Sequence, residues 1–186
     1  MSPGNVIKRV LVPLAEGCEE LEAVTIVDLL RRGGIEVVVA GLREGTVTGS
    51  RGVRIVPDLS LDEALLLDFD MVALPGGLPG ADHLAADRRL TDLLRHMHDA
   101  GRLVGAVCAA PKVLARSGVL QGRIATAYPG VLQQEGHPDI SSDAVVRDGT
   151  VITSRAAGTA MDFALALVEA LAGSETRDKV ENGLVR

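Results

Sequence analysis

The chain has 186 residues, 47% of them apolar and 24% charged, with 21 glycines, 8 prolines and a formal net charge of −6. That length and balance predict one globular domain over residues 1–186 and exclude a disordered or collagen-like chain. An acidic chain with 1 Tyr, 2 Phe and no Trp lacks a basic footprint and base-stacking platforms, so nucleic acid is not expected as its main partner.

The longest uncharged runs, residues 71–81 and 124–134, hold 11 residues each. A membrane span takes about 20, so no membrane partner is expected. The apolar stretch 10–15 is stopped by Glu16 and does not read as a secretory signal. Two cysteines, Cys18 and Cys108, are too few for a disulfide scaffold, and neither has a second cysteine at metal-ligand spacing. A reducing, cytoplasmic setting is the expectation.

In chain order the pattern alternates. Residues 8–14 read as a buried strand and 19–32 as a helix stopped by Gly33-Gly34. Residues 35–41, rich in β-branched side chains, read as a second strand. A polar loop or hairpin follows over 43–57, then a short helix over 61–67. Residues 70–74 are a third strand, 88–100 an amphipathic helix and 102–107 a fourth strand. A helix over 111–117 precedes a brief strand at 124–127 and a loop. A hairpin turns at Asp148-Gly149, and helices over 159–171 and 175–184 close the chain. Near-continuous apolar strands alternating with helices predict a mostly parallel sheet in a flavodoxin-like three-layer α/β/α sandwich.

Cys108 is the leading candidate for chemistry. The apolar run 103–107 passes straight into Cys108-Ala109-Ala110-Pro111 and then into helix. That places a cysteine on a sharp strand-to-helix turn, as a nucleophile elbow does a serine. The helix start offers free N–H groups and a positive dipole end that favour thiolate. Gly76 and Gly77, ending the third strand, let backbone N–H groups approach a ligand closely and form an oxyanion site. Glu16, Glu19, Glu20 and Glu22 crowd the start of the first helix, where acids ordinarily compensate the dipole. Glu22 differs, because it is flanked by Leu21 and Ala23 on a largely covered helix. Pointing toward Cys108, a protonated Glu22 would donate a hydrogen bond to the thiolate, whereas an ionised one would raise the thiol pKa.

Cys18, in a Gly-bearing loop near the same sheet edge, reads as a spectator, an oxidation target or a pocket residue. His83, His96, His98 and His137 read as surface residues, and no histidine pair has metal-site spacing.

Taken together, these segments resemble the DJ-1/ThiJ branch of the DJ-1/ThiJ/PfpI superfamily. The resemblance is carried by residues 15–24, 27–35, Ser50-Arg51, 74–77, 107–111 and 153–159, in order and spacing. It implies that Cys108 is a nucleophilic, oxidation-sensitive cysteine and Glu22 its protonated partner. It implies further that Gly77 and Ala109 present N–H groups to the reacting oxygen. Arg31, Arg32 and Arg51 match arginines near a homodimer interface.

The resemblance also implies an enzyme without cofactor or metal, acting on small dicarbonyls such as methylglyoxal or on glycated macromolecules. The alternative is a redox-sensing chaperone that works through oxidation of Cys108. Tyr128 stands where some members place a pocket histidine, so Glu22 carries the acid–base work and turnover is expected to be modest. Ala109 stands where the peptidase branch has histidine, which argues against a Cys-His protease. Ala156 and Ala157 replace a Gly-Pro pair at the rim of the pocket. A glutamine amidotransferase-like domain shares the cysteine elbow but wants a downstream histidine and glutamate set as a triad. Only His137 is available there.

Overall fold

The computed structural model describes residues 7–186. β1 (Arg9–Leu14) leads to α1 (Glu20–Arg32) and then β2 (Glu36–Gly41). Glu19 caps α1 through Leu21 N–H, and Gly34 turns the chain out of it with φ +72°. Of the polar loop or hairpin expected over 43–57, the structure has a hairpin, β3 (Val47–Thr48) antiparallel to β4 (Arg54–Ile55). β5 (Leu59–Ser60) and α2 (Leu61–Ala64) precede β6 (Met71–Leu74), α3 (Gly80–Ala86) and α4 (Arg88–Asp99).

The second half holds β7 (Leu103–Val107), α5 (Pro111–Arg116) and α6 (Val131–Gln134). β8 (Val145–Asp148) and β9 (Val151–Ser154) form the hairpin around Gly149, at φ +61°. A 3-10 turn, Ala157–Thr159, enters α7 (Ala160–Ala172), and α8 (Ser174–Gly183) follows.

Seven strands form one sheet in the order β5-β2-β1-β6-β7-β9-β8, parallel throughout except that β8 runs antiparallel to β9. Alternate strand residues feed two cores. Leu11, Val72, Val104 and Ala106 pack under α2 to α6, whereas Val10, Val12, Met71 and Ile152 pack under α1, α7 and α8. The three-layer α/β/α sandwich expected from the alternation is therefore present. From β1 the chain first moves outward to β2, then returns to the other side of β1 at β6. The carboxyl ends of β1, β6 and β7 consequently flank the point where the strand order reverses, the place where such sheets bind ligands.

Several local expectations need correction. Residues 124–127 are not a strand. Ala125 makes one isolated bridge to Ile140, and Thr126 N–H is diverted to Thr153 Oγ1 at 2.9 Å, so no ladder develops. The short helix after β5 stops at Ala64, leaving Leu66 86% exposed in a turn. α3 and α6 lie in segments that carry no apolar period long enough to mark them.

The β3–β4 hairpin is tethered to α1 by one carboxylate. Glu20 is buried and accepts from Arg51 N–H at 2.8 Å and Val53 N–H at 3.3 Å, with Ser50 Oγ at 3.3 Å. Burial alone would raise its pKa. Backbone N–H groups and the Ser50 hydroxyl outweigh that and hold it below the usual carboxylate range. A Glu20→Ala variant is expected to loosen residues 49–54 and to cost about 1–3 kcal/mol, since three donors lose their acceptor. Faster amide exchange confined to this hairpin, with a lower Tm, is the check; unchanged exchange would refute the tether.

Candidate active site

Three neighbouring strand ends supply the site. β1 runs into the turn that starts α1 and so delivers Glu22, whose residue exposure is 0%. β6 ends in Pro75-Gly76-Gly77, and β7 ends at Cys108.

Cys108 has φ +63°, a left-handed conformation that a non-glycine residue adopts at a cost of about 1–2 kcal/mol. The surrounding backbone holds it there. Cys108 N–H donates to Ser154 O at 3.0 Å, and Tyr128 N–H donates to Cys108 O at 2.8 Å. The strand therefore turns sharply and leaves the thiol partly exposed above the sheet edge. This is the elbow expected from the sequence. The N–H groups of Gly77 and Ala109 act on the sulfur; α5 itself is six residues long and starts three residues later.

Gly76, expected among the oxyanion donors, has a different task. Its N–H donates to Glu22 Oε2 at 2.8 Å, and its carbonyl accepts from Glu19 N–H at 2.9 Å. It pins the carboxyl rather than facing a ligand. A Cβ at Gly76 would sit 2.8 Å from Cys108 Cβ, 2.8 Å from Val107 O and 2.9 Å from Ala109 N. Two of those three atoms are backbone and cannot move cheaply. Gly76→Ala is thus expected to cost roughly 1–3 kcal/mol through overpacking and to displace the cysteine. Slower alkylation of Cys108, alongside a lower Tm, would show it; wild-type alkylation would refute the packing argument. Gly77 at φ +89° is equally confined, since a Cβ there would lie 2.3 Å from Glu19 N.

Glu22 Oε1 is buried and has no hydrogen-bond partner. The Cys108 thiol interacts with this carboxyl without completing a hydrogen bond to it. An unpaired buried oxygen favours the protonated acid. Burial pushes Glu22 up to about 7, against the opposing pull of Gly76 N–H. For Cys108, burial and then the Glu22 charge push the thiol up to about 12, while Gly77 and Ala109 N–H groups pull it down. The second of those causes exists only while Glu22 is ionised. A neutral Glu22 removes it and supplies an O–H donor in its place. Carboxylate beside thiol and carboxylic acid beside thiolate carry the same net charge, so the pair shares one titration.

The other singled-out residues fall in different places. Cys18 is 0% exposed within the core under α1 and α7, which corrects its reading as a pocket residue; close approach of Gly80 and Gly77 to its backbone seals it in. Burial, with Glu20 and Glu16 adding to it, pushes its thiol up to about 11. Tyr128 is 53% exposed and lines a cavity with Arg155. Arg31 donates to Val37 O and pairs with Asp58, Arg32 pairs with Asp28, and Arg51 is exposed on the hairpin. His83 and His137 each bond a backbone carbonyl, of Glu16 and Arg123. Leu21 and Val24 of α1 are 52% and 53% exposed.

Sequence reasoning assigned no role to Ser154 or Arg155. The signal was present in residues 153–159, which bore part of the resemblance. Their work became visible only when β9 was seen to pair with β7 and bring Ser154 O to Cys108 N–H.

A cysteine elbow at the switch point of a parallel sheet, with a carboxyl buried beside it, marks a class of flavodoxin-like proteins built around one thiol. Residues 8–170 match the DJ-1/PfpI family, and the chain belongs to it. It is 45% identical to protein dj-1beta of Drosophila melanogaster over 96% of this chain and 97% of that one. The crystal structure of that fly protein superposes with a TM-score of 0.93, covering 97% of this chain and 98% of the other. The oxidised DJ-1 of Toxoplasma gondii superposes with a TM-score of 0.92 at 38% identity, covering 96% and 98%. A Caenorhabditis elegans relative named glutathione-independent glyoxalase DJR-1.2 is 38% identical over 89% of each chain.

Proposed function

We propose that the protein converts small reactive dicarbonyls to 2-hydroxy acids, methylglyoxal to lactate being the model reaction. The observation that carries this reading is Glu22 Oε1, buried and unpartnered beside a thiol on a strained elbow. The glyoxalase name of the worm relative supports it. The Cys108 thiolate adds to the aldehyde carbon, and the resulting alkoxide is held by Gly77 and Ala109 N–H groups. The protonated Glu22 gives its proton to that alkoxide, and the carboxylate so formed takes the proton from the same carbon and returns it to the neighbouring carbonyl carbon. The aldehyde carbon is oxidised, the ketone carbon is reduced, and the product is a lactoyl thioester. Water then releases lactate and the thiol. No external oxidant or cofactor enters the balance. Deglycation of glycated proteins or nucleotides would use the same addition step.

The test is lactate formation from methylglyoxal without glutathione or metal, with wild type and Glu22→Gln in parallel. Turnover in the wild type and its loss in the variant support the reading. A wild type no faster than buffer overturns it.

A second reading is favoured by the contrast between the two thiols. Cys108 is partly exposed and Cys18 is sealed. Low peroxide is then expected to oxidise Cys108 alone, to sulfenic and sulfinic acid, as a redox-sensing chaperone would require. Peptide mass mapping checks this, and equal oxidation of Cys18 counts against it.

A homodimer, as the family resemblance implies, would use the outer face of α1 and the hairpin. Leu21, Val24, Val53 and Val56 are 52%, 53%, 51% and 76% exposed there, with Arg51 alongside. A second copy of this chain would cover them. Val24→Asp is expected to shift the species seen by light scattering toward monomer. An unchanged dimer would place the interface elsewhere.

A further inference from the structure

A cavity of about 270 Å³ opens beside the elbow, walled by Ala127, Tyr128, Leu132, Ile140, Ser142 and Arg155 among others. Two of its walls are tied to the nucleophile's own backbone. Tyr128 N–H donates to Cys108 O at 2.8 Å, and Cys108 N–H donates to the carbonyl of Ser154, the residue preceding Arg155, at 3.0 Å. Cys108 itself does not line the cavity, so a molecule reacting at the thiol reaches it only through a tail that extends past the elbow.

The charge in the cavity has one sign. Arg155 is its only charged lining residue, beside the Tyr128, Ser141 and Ser142 hydroxyls and the Gln133 amide. The Arg155 guanidinium donates to Ser142 O at 3.2 Å, and among the described residues it forms no ion pair. Two other arginines of this half of the chain are ion-paired, Arg116 with Glu135 and Arg123 with Asp148. An arginine fixed by one carbonyl, with its other donors free, matches a planar carboxylate. The apolar side chains Leu132 and Ile140 suit a short methylene chain between that carboxylate and the reacting carbon.

We infer that this cavity receives the carboxylate tail of a 2-oxoaldehyde whose aldehyde carbon is attacked by Cys108. The inference rests on the dicarbonyl reading and gives that reading a substrate class, the ω-carboxylated 2-oxoaldehydes. For 4,5-dioxovalerate the balance is that of methylglyoxal. One water is taken up, the aldehyde carbon becomes a carboxylate, the ketone carbon becomes a secondary alcohol, and 2-hydroxyglutarate leaves. Arg155 is a specificity-determining residue and takes no part in the proton transfers.

Two measurements test it. In the first, kcat/KM for 4,5-dioxovalerate is compared with that for methylglyoxal in wild type, Arg155→Gln and Arg155→Lys. The wild type is expected to prefer the carboxylated substrate by about 10-fold or more, as a charge-assisted contact implies. Arg155→Gln loses that preference while its methylglyoxal value stays within about twofold, and Arg155→Lys restores part of it. No preference in the wild type, or an equal fall for both substrates in Arg155→Gln, overturns the assignment.

The second measurement needs no turnover. 2-Hydroxyglutarate is expected to protect Cys108 from iodoacetamide in wild type but not in Arg155→Gln, with lactate protecting neither. Protection that ignores Arg155, or none at all, overturns the assignment. If neither substrate turns over and Arg155-dependent protection is still seen, the carboxylate site stands and the dicarbonyl reading falls.

Discussion

A Cys108→Ser variant is expected to fold as the wild type does and to form no lactate from methylglyoxal above the buffer rate. The loss should be on the order of 1000-fold or more, as removal of a nucleophile usually is. Serine keeps the size of the side chain and fits the same elbow, where the left-handed backbone is imposed by Ser154 O and Tyr128 N–H and not by the sulfur. The hydroxyl fails for a chemical reason. Gly77 and Ala109 N–H groups and one neutral acid can stabilise a thiolate, but the site holds no base strong enough to ionise serine. A variant retaining more than about a tenth of the activity, with an unchanged circular dichroism spectrum, would remove Cys108 from the mechanism.

Glu22→Gln separates the roles of the carboxyl by pH. Burial raises the Glu22 pKa from 4.5 to about 7, so the folded chain holds this proton more tightly than the unfolded chain. The stabilisation from proton binding is complete below the unfolded value. It is lost as pH rises through the folded one. Wild type is therefore expected to lose stability relative to Glu22→Gln between about pH 4.5 and 7, by at most about 3 kcal/mol. Glutamine still accepts the Gly76 N–H bond but cannot ionise. A stability difference that stays flat over this window, by denaturant titration at several pH values, would show that Glu22 titrates normally.

The same variant should lose about 100-fold or more in lactate formation, since the proton carrier is gone. Its Cys108 alkylation should also inflect at a different pH from wild type, because the thiol has lost both the charge that raises it and the acid with which it shares the titration. An unmoved inflection would mean that carboxyl and thiol are not coupled.

The parts of the fold that could be read early are those with strong one-dimensional signals. The apolar runs ending at Leu14, Leu74 and Val107 are buried on both faces and hydrophobic at nearly every position, so strand and sheet type were legible together. The elbow was legible because a strand ran into Cys108 and then into Pro111 with no room for a loop. α3 was not, because its Gly80-Ala81 start between prolines and acids looks like a turn; it folds as helix with Leu84 and Ala81 buried. Gly76 and Gly77 were indistinguishable as letters. Which of them holds Glu22 and which faces the sulfur depends on the direction of one N–H, a fact of three dimensions. Arg155 was silent for the same reason, since only the β7–β9 pairing brings it to the cysteine.

The burial of Cys18 gives the folded chain a stoichiometry. In the native state one thiol can meet a reagent and one cannot. Ellman's reagent should consume a single equivalent from folded protein and two from the denatured chain. The second equivalent then appears only when the α1–α7 core opens. Its rate of appearance is a clock for spontaneous opening beneath this sheet edge, read without any label and without any substrate.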